Sequence, residues 1–445
     1  MRVPQNGRVA KVEVAADGDG LVSRSGTALV AELADRLGLT QGLSRAMSAT
    51  RERAGGHDRG HVLRDLALML VDGGDCLSDL GALREQPELF GPVASAPTAW
   101  RAVEAVERVG LDALRSARAE ARARAWAAGA APARIVLDFD SHLVSAHSEK
   151  EGATPTWKRG FGFHPLLCYL DETGEALAGV LREGRAGANT AADHVEVLAL
   201  ALQQIPAEHL DRPMLARSDS AGATHDFADA LSETGIRFSL GFAVTEAVRE
   251  AILATPESDW APALSQDGEQ RDGAWVCELT GAVELSAWPA GTRLICRRER
   301  PHPGAQLSFT DVDGHRFQCL ITDQADADLA ALEARHRAHA RVEDRIRCAT
   351  ETGLRNLPFR DFAPNEVWLE LVLCAQDLLA FTQVLLLAGE LRVAEPKRLR
   401  QRLLHVAGRL TRSGRRTTLH LPRSWPWARA LVAAFARLRL LPAGP

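Results

Sequence analysis

Long apolar runs, paired cysteines, lysines and aromatics are all scarce in this sequence, and each shortage excludes something. No stretch of about eighteen apolar residues occurs and no charged, apolar, small-residue leader follows Met1, so a soluble intracellular protein is expected, with no membrane partner. Cys76, Cys168, Cys277, Cys296, Cys319, Cys348 and Cys374 are odd in number and scattered, with no Cys-x-x-Cys pair. That pattern argues against zinc and thiol redox chemistry and for free buried thiols. Only Lys11, Lys150, Lys158 and Lys397 among 53 basic residues are lysines, which leaves 49 arginines, a bias that suits a GC-rich bacterial gene. Aromatics make up 5 %, yet 46 % of the 445 residues are hydrophobic, enough for two or three packed domains and an enzyme-sized chain. Acidic residues vanish altogether from Pro396 to Pro445, where twelve are Arg or Lys; the net charge of -5 therefore divides into +12 there and -17 before it. A basic end on an acidic body points to a polyanionic partner, and Arg415 and Arg416 are its candidate phosphate contacts.

What is present organises into blocks. Residues 1–20 lack periodicity and are expected to be disordered or frayed. Thr27 to Met47 reads as two short helices broken near Gly38, His61 to Asp72 as another helix, and Ala99 to Ala128 as a long one, so 21–130 is an expected helical DNA-binding domain. Arg134 to Ser145, Phe161 to Tyr169 and Ala176 to Leu181 read as three antiparallel strands. A helix through Gln204, a strand at Met214 to Arg217, a helix at Thr224 to Thr234 and a strand at Arg237 to Val244 follow. This α/β order resembles the ribonuclease H-like fold of retroviral integrases and DDE transposases. It assigns 131–245 and 326–390 to two parts of a mixed-sheet catalytic core. Between them, Ala274 to Ala287, Thr292 to Arg298, Gln306 to Asp311 and Arg316 to Thr322 make 246–325 a β-rich insertion, and 391–445 is expected to be a basic, helical C-terminus.

Asp138 and Asp140 lie two apart in a strand and leave it on one face; Asp219 ends a strand-like segment, and Glu343 lies among strong helix formers. Carboxylates converging from separate elements suit a pair of Mg²⁺ ions, with Mn²⁺ as a substitute, since hard cations take oxygen ligands. Other signals lead nowhere: Gly160-Phe161-Gly162 has no third glycine, His142, His147 and His164 lack zinc spacing, and Ser218 to Ser220 is no nucleophile elbow.

The words around these carboxylates are more specific. Asp140-Ser141 with Leu143 to Gly152, Lys158 to Pro165, Gly184 to His194, Arg217 to Gly222, Val342 to Ile346 with Thr352 to Pro358, Asn365 to Leu379 and Leu421 to Trp427 resemble, in order, a bacterial insertion-sequence DDE transposase of the family numbered 1380. The resemblance spans roughly residue 20 to the C-terminus. It implies Asp140, Asp219 and Glu343 as catalytic metal ligands, with Asp138 in reserve, and Mg²⁺-dependent cleavage and strand transfer. It also implies double-stranded DNA as partner, both terminal inverted repeats and target, a homodimer on that DNA, and a bacterial cytoplasmic, nucleoid-associated location. Lys150, Lys158, Arg159, Arg182, Arg185, Arg298, Arg300, His339 and Arg347 are the candidate DNA contacts around the carboxylates. Relatives tend to carry tyrosine, arginine and lysine where this chain has His336, His339 and Thr350, so the phosphate grip beside Glu343 is eroded. The alternative is an impaired or domesticated transposase that only binds DNA; a hydrolytic nuclease of the same fold is a more distant one.

Overall fold

Leu29, Val30, Leu33 and Leu43 recur at helical spacing and are buried, so the chain folds here as helices Ser25–Arg36 and Leu39–Ala46. Gly38, at φ 72°, makes the left-handed turn between them. The structure, a computed structural model, describes residues 2–5, 8–11, 14–51, 55–301, 311–312 and 314–442. Helix Arg59–Asp72 begins where the Asp58 carboxylate accepts the His61 N–H. The long helix expected over 99–128 is instead two, Ala96–Glu104 and Leu111–Ala125, because the chain turns through a short 3₁₀ segment and Gly110. The start of the chain also departs from the frayed expectation. Strands β1 (Arg2–Gln5) and β2 (Arg8–Lys11) pair, and β3 (Leu21–Val22) pairs with Gly408 and Arg409 near the other end of the chain.

A mixed sheet forms the middle of the molecule. Its first strand, β4 (Ile135–Ser141), is followed by three short strands in a small sheet of their own, β5 (Val144–Ser145), β6 (Thr154–Pro155) and β7 (Phe161–Phe163), in the order β5-β7-β6. The single strand expected from Phe161 to Tyr169 is thus split, since His164 and Pro165 carry the chain from β7 back to the large sheet at β8 (Leu166–Leu170). After β9 (Ala176–Val180) come helix Ala191–Gln204, β10 (Met214–Ser218), helix His225–Glu233 and β11 (Arg237–Phe242). The order across these strands is β9-β8-β4-β10-β11, with β4, β10 and β11 parallel and β8 antiparallel to both neighbours.

The insertion does not fold as a separate sheet. β12 (Ala261–Leu264), β13 (Gln270–Glu278), β14 (Arg293–Glu299), β15 (Asp311–Val312) and β16 (His315–Thr322) extend the same sheet beyond β11 through an antiparallel β11–β16 pairing, giving ten strands among the described residues. Residues 279–287, expected to continue a strand, form turns instead, and residues 306–310 lie outside the described set. Asp326 to Glu351 is helical from Leu329 to Ala349, with a 3₁₀ turn at Ala338–Ala340.

Helix Phe362–Phe381 is the axle of the core. With its continuation to Leu386 it is long and apolar enough to cross a membrane, yet it is mostly buried in protein and carries Glu370 and Asp377. Arg118 and Arg122, both buried on helix Leu111–Ala125, answer those charges. Arg118 pairs with Glu370 and with Asp377 (2.8 Å), and Arg122 with Asp377 (2.6 Å) and Glu175 (2.8 Å). One hydrophobic cluster runs from Leu29 through the sheet to Leu438, so the helical and sheet regions share a core. The C-terminal region is not wholly helical: β17 (Gly408–Ser413) and β18 (Arg416–His420) form an exposed hairpin before helix Ala428–Leu440. The β-branched Thr411, Thr417 and Thr418 flanking Ser413-Gly414 favour a β-ribbon over a helix. All seven cysteines are free, and five of them are buried.

Candidate active site

Parallel pairing of β4 with β10 sets Asp138 opposite Arg217 and Phe139 opposite Ser218. One residue further along each strand, Asp140 and Asp219 stand level at the carboxyl ends of neighbours about 4.8 Å apart. Gly241 on β11 makes room for this, since a Cβ there would come within 2.7 Å of the Ser220 backbone nitrogen. Over the sheet lies the helical run Leu329 to Ala349, in which His336, His339 and Glu343 fall on one face at i, i+3 and i+7.

Beneath the carboxylates is a buried polar layer. The Arg217 guanidinium grips Asp138 with two hydrogen bonds, 2.8 and 2.7 Å, and lies 3.0 Å from Asp171. His339 Nδ1 is 2.9 Å from Asp138 Oδ1, and His336 Nδ1 is 3.0 Å from Ser239 Oγ. This layer registers the helix against the sheet, so Glu343, one turn beyond His339, is carried toward Asp140. The electrostatics agree. Burial pushes the Asp140 carboxyl up to about 6; His339 and the Ser141 N–H oppose the rise, while the charges of Asp219 and Glu343 add to it. Asp219 and Glu343 are exposed and Asp140 is half-buried, so the three form an open acidic edge.

Asp138, the reserve ligand, does not belong to that edge, because its oxygens are already held by Arg217 and His339 and it is buried. The same layer moves His339 from the expected DNA contacts into the interior. His336 is likewise inward, its imidazole driven down to about 3 chiefly by burial, and the Thr350 hydroxyl donates to the Ile346 carbonyl (3.0 Å).

The basic candidates divide. Arg182 is buried, donating to the His164 carbonyl (2.7 Å) and pairing with Asp193 (2.8 Å), and so offers no phosphate contact. Lys150 is turned onto the Leu357 carbonyl, with burial lowering its pKa. Arg298 lies over the rings of Trp260 and Trp275 and pairs with Glu257, and Arg300 lies over Trp275, placing both on the sheet extension. Arg347 is shared by Asp344 (2.8 Å) and Glu395 (3.1 Å). Lys158, Arg159, Arg185, Arg415 and Arg416 are exposed; the first three come together, since the Arg185 N–H donates to Thr154 beside the β6–β7 turn.

Among the described residues, the group whose metal-capable atoms all lie within 4.8 Å is Asp75, Cys76 and Asp79; Asp140, Asp219 and Glu343 are spread more widely than that limit. The former is a helix cap. Asp79 accepts the N–H groups of Asp75 (2.9 Å) and Cys76 (3.2 Å), and Arg355 occupies Asp75. Arg217 and Asp171 were missed in the sequence reading. Arg217 opens the resembling word Arg217 to Gly222, and it stands two before Asp219 as Asp138 stands two before Asp140, a double i, i+2 pattern that signals their pairing.

Comparison with known proteins adds to this geometry. The family model described as "Transposase DDE domain group 1" matches residues 5–443. No curated protein matches the chain. Seven chains of solved structures match, among them the cryo-EM structure of the piggyBac transposase synaptic complex with hairpin DNA. It is 10 % identical, with a TM-score of 0.43, covering 86 % of this chain and 80 % of that one.

Proposed function

Because this chain belongs to the DDE transposase family Transposase DDE domain group 1, we propose that it binds the terminal inverted repeats of an insertion sequence and carries out Mg²⁺-dependent DNA cleavage and strand transfer. We assign it to the insertion-sequence family numbered 1380, acting as a homodimer on DNA in a bacterial cytoplasm. The observation that carries this reading is the level placement of Asp140 and Asp219 on parallel strands, with Glu343 close enough for its charge to raise the Asp140 pKa. The strand order β9-β8-β4-β10-β11 supports a ribonuclease H-like core.

The donor set fits a hard cation: three carboxylates, one of them pushed toward its protonated form by burial and by its acidic neighbours, form a site that positive charge relieves. When bound, two Mg²⁺ ions, or Mn²⁺ in their place, supply the Lewis acidity that in-line attack on a phosphodiester requires. Asp140, Asp219 and Glu343 would hold them. Arg217, Asp138 and His339 keep the sheet and the helix in register, while Lys158, Arg159 and Arg185 attract the phosphate backbone from the adjoining surface. The hairpin β17–β18, with Arg415 and Arg416 at its turn, adds a second basic contact.

A second reading, DNA binding without catalysis, is favoured by one observation. His336 and His339 bond inward to Ser239 and Asp138, and the Thr350 hydroxyl is spent on the Ile346 carbonyl of its own helix, so none of these three positions supplies a permanent positive charge. A supercoiled plasmid carrying the gene's flanking repeats, incubated with Mg²⁺ or EDTA, separates the two. Asp219→Asn keeps size but removes charge. Cleavage should fall by orders of magnitude while repeat affinity stays nearly constant. Equal cleavage by Asp219→Asn would rule out the carboxylates, and an inactive wild type that still binds the repeats would establish the binding-only reading.

A further inference from the structure

Trp157 is 74 % exposed, although an indole has more to gain from burial than almost any other side chain. It lies in the turn between β6 and β7, closed by the Thr156 N–H on the Gly160 carbonyl (2.8 Å) and the Arg159 N–H on the Thr156 carbonyl (3.0 Å). Arg159 holds φ 62°, the one non-glycine residue with positive φ among the described residues. A turn position that glycine would occupy without strain thus carries a strained cation, a combination that marks functional loops. Lys158 Nζ lies 4.9 Å from the Trp157 ring centroid.

The turn tips the hairpin that follows Asp140 in the chain. β7 pairs with β5 (Val144 with Phe163, Ser145 with Gly162), and the His142 N–H donates to the Pro165 carbonyl (3.0 Å), so this hairpin is stitched to the chain directly after Asp140. From Gly152 to Pro165 there is no acidic residue, while Lys158, Arg159 and His164 are basic. Phe161, the next large side chain, is also 45 % exposed. An exposed indole with one cation over its ring and another next in the turn matches a base beside its phosphates, because every base has a π-face and the backbone carries the negative charge. Bases inside a duplex are already stacked on each other, so the base received must be unpaired.

We propose that Trp157 stacks on an unpaired base at the DNA end held by the Asp140–Asp219–Glu343 site, with Lys158 and Arg159 on the adjoining phosphates. This rests on the reading of the protein as an enzyme that acts on DNA. The test measures binding by the full-length protein in EDTA, where nothing is cut. The probes are a short blunt duplex and the same duplex ending in an unpaired 2-aminopurine. The wild type should bind the unpaired end more tightly and quench its fluorescence. Trp157→Ala should lose the quenching and weaken binding to that end by about 5- to 150-fold, a stacked base converted at 1.4 kcal/mol per tenfold. Its affinity for the blunt duplex should not change, and Trp157→Phe should keep most of the preference. If Trp157→Ala matches wild type on both probes, or wild type binds both equally, stacking is refuted and the DNA reading stands. If wild type binds neither probe, the DNA reading fails and this inference falls with it.

Discussion

Replacing Asp140 by asparagine should stabilise the metal-free protein, the opposite of the usual effect of changing a partly buried polar residue. The shape is kept, and the amide oxygen still accepts the Ser141 N–H that now reaches Asp140 Oδ1 at 2.7 Å. What disappears is a carboxyl whose pKa is raised from 3.8 to about 6 by burial and by Asp219 and Glu343, against the opposing His339 and Ser141. An unfolded chain ionises this group near 3.8, so between about pH 4 and 6 the folded state holds the proton more tightly. Stability therefore falls as pH rises through that window and is flat above it. At 1.36 kcal/mol per unit the full cost at pH 8 is about 3 kcal/mol. With an unfolding entropy of about 2.1 cal/mol/K per residue over a chain of this length, that corresponds to roughly 3 °C in Tm if the shared core unfolds as one unit. Differential scanning fluorimetry in EDTA across pH 4 to 8 should show Asp140→Asn gaining on the wild type as pH rises, with no difference at pH 4. Adding Mg²⁺ should raise the Tm of the wild type and reduce or reverse the gap. A variant no more stable at pH 8 than the wild type, or a gap independent of pH, would refute the acidic-edge reasoning.

Further expectations concern other parts of the molecule. Arg415→Ala combined with Arg416→Ala, at the exposed turn of the β17–β18 hairpin, should reduce the slope of log affinity against log salt by about 2, measured by anisotropy on duplex DNA; an unchanged slope would make the hairpin a bystander. Arg122→Met leaves buried Glu175 with only the neutral donors Trp126 and Thr173 and Asp377 with one of its two guanidinium partners, Arg118, and should cost about 3–5 kcal/mol, read as a Tm lowered by several degrees. Thr350→Lys places a permanent charge on the glutamate helix and should raise cleavage in an active wild type. His339→Arg should not, because position 339 faces Asp138 and Arg217 rather than phosphate.

The local periodicities were legible along the chain. Alternation from Ile135 to Ser141 is a strand because its apolar side chains have one face to bury, Gly38 interrupts two helices because of its left-handed backbone, and the Asp140, Asp219 and Glu343 words stood out through their neighbours. What local pattern could not supply was which surfaces meet. The insertion strands alternate as a separate sheet would, and only the β11–β16 pairing made them an extension of the large one. Asp138 and Asp140 are equivalent in the sequence, two carboxylates on one face of one strand. Arg217, arriving 79 residues later on the neighbouring strand, neutralises the lower and leaves the upper to its acidic neighbours. Arg182 and Lys158 are both plain cations on paper, and burial against Asp193 separates one from the other. The sequence by itself determined the elements and the inventory of charges, since both follow from residue type and spacing. The tertiary structure alone decided which charges are spent on one another and which stay exposed, because pairing and desolvation depend on contacts between segments far apart in the chain.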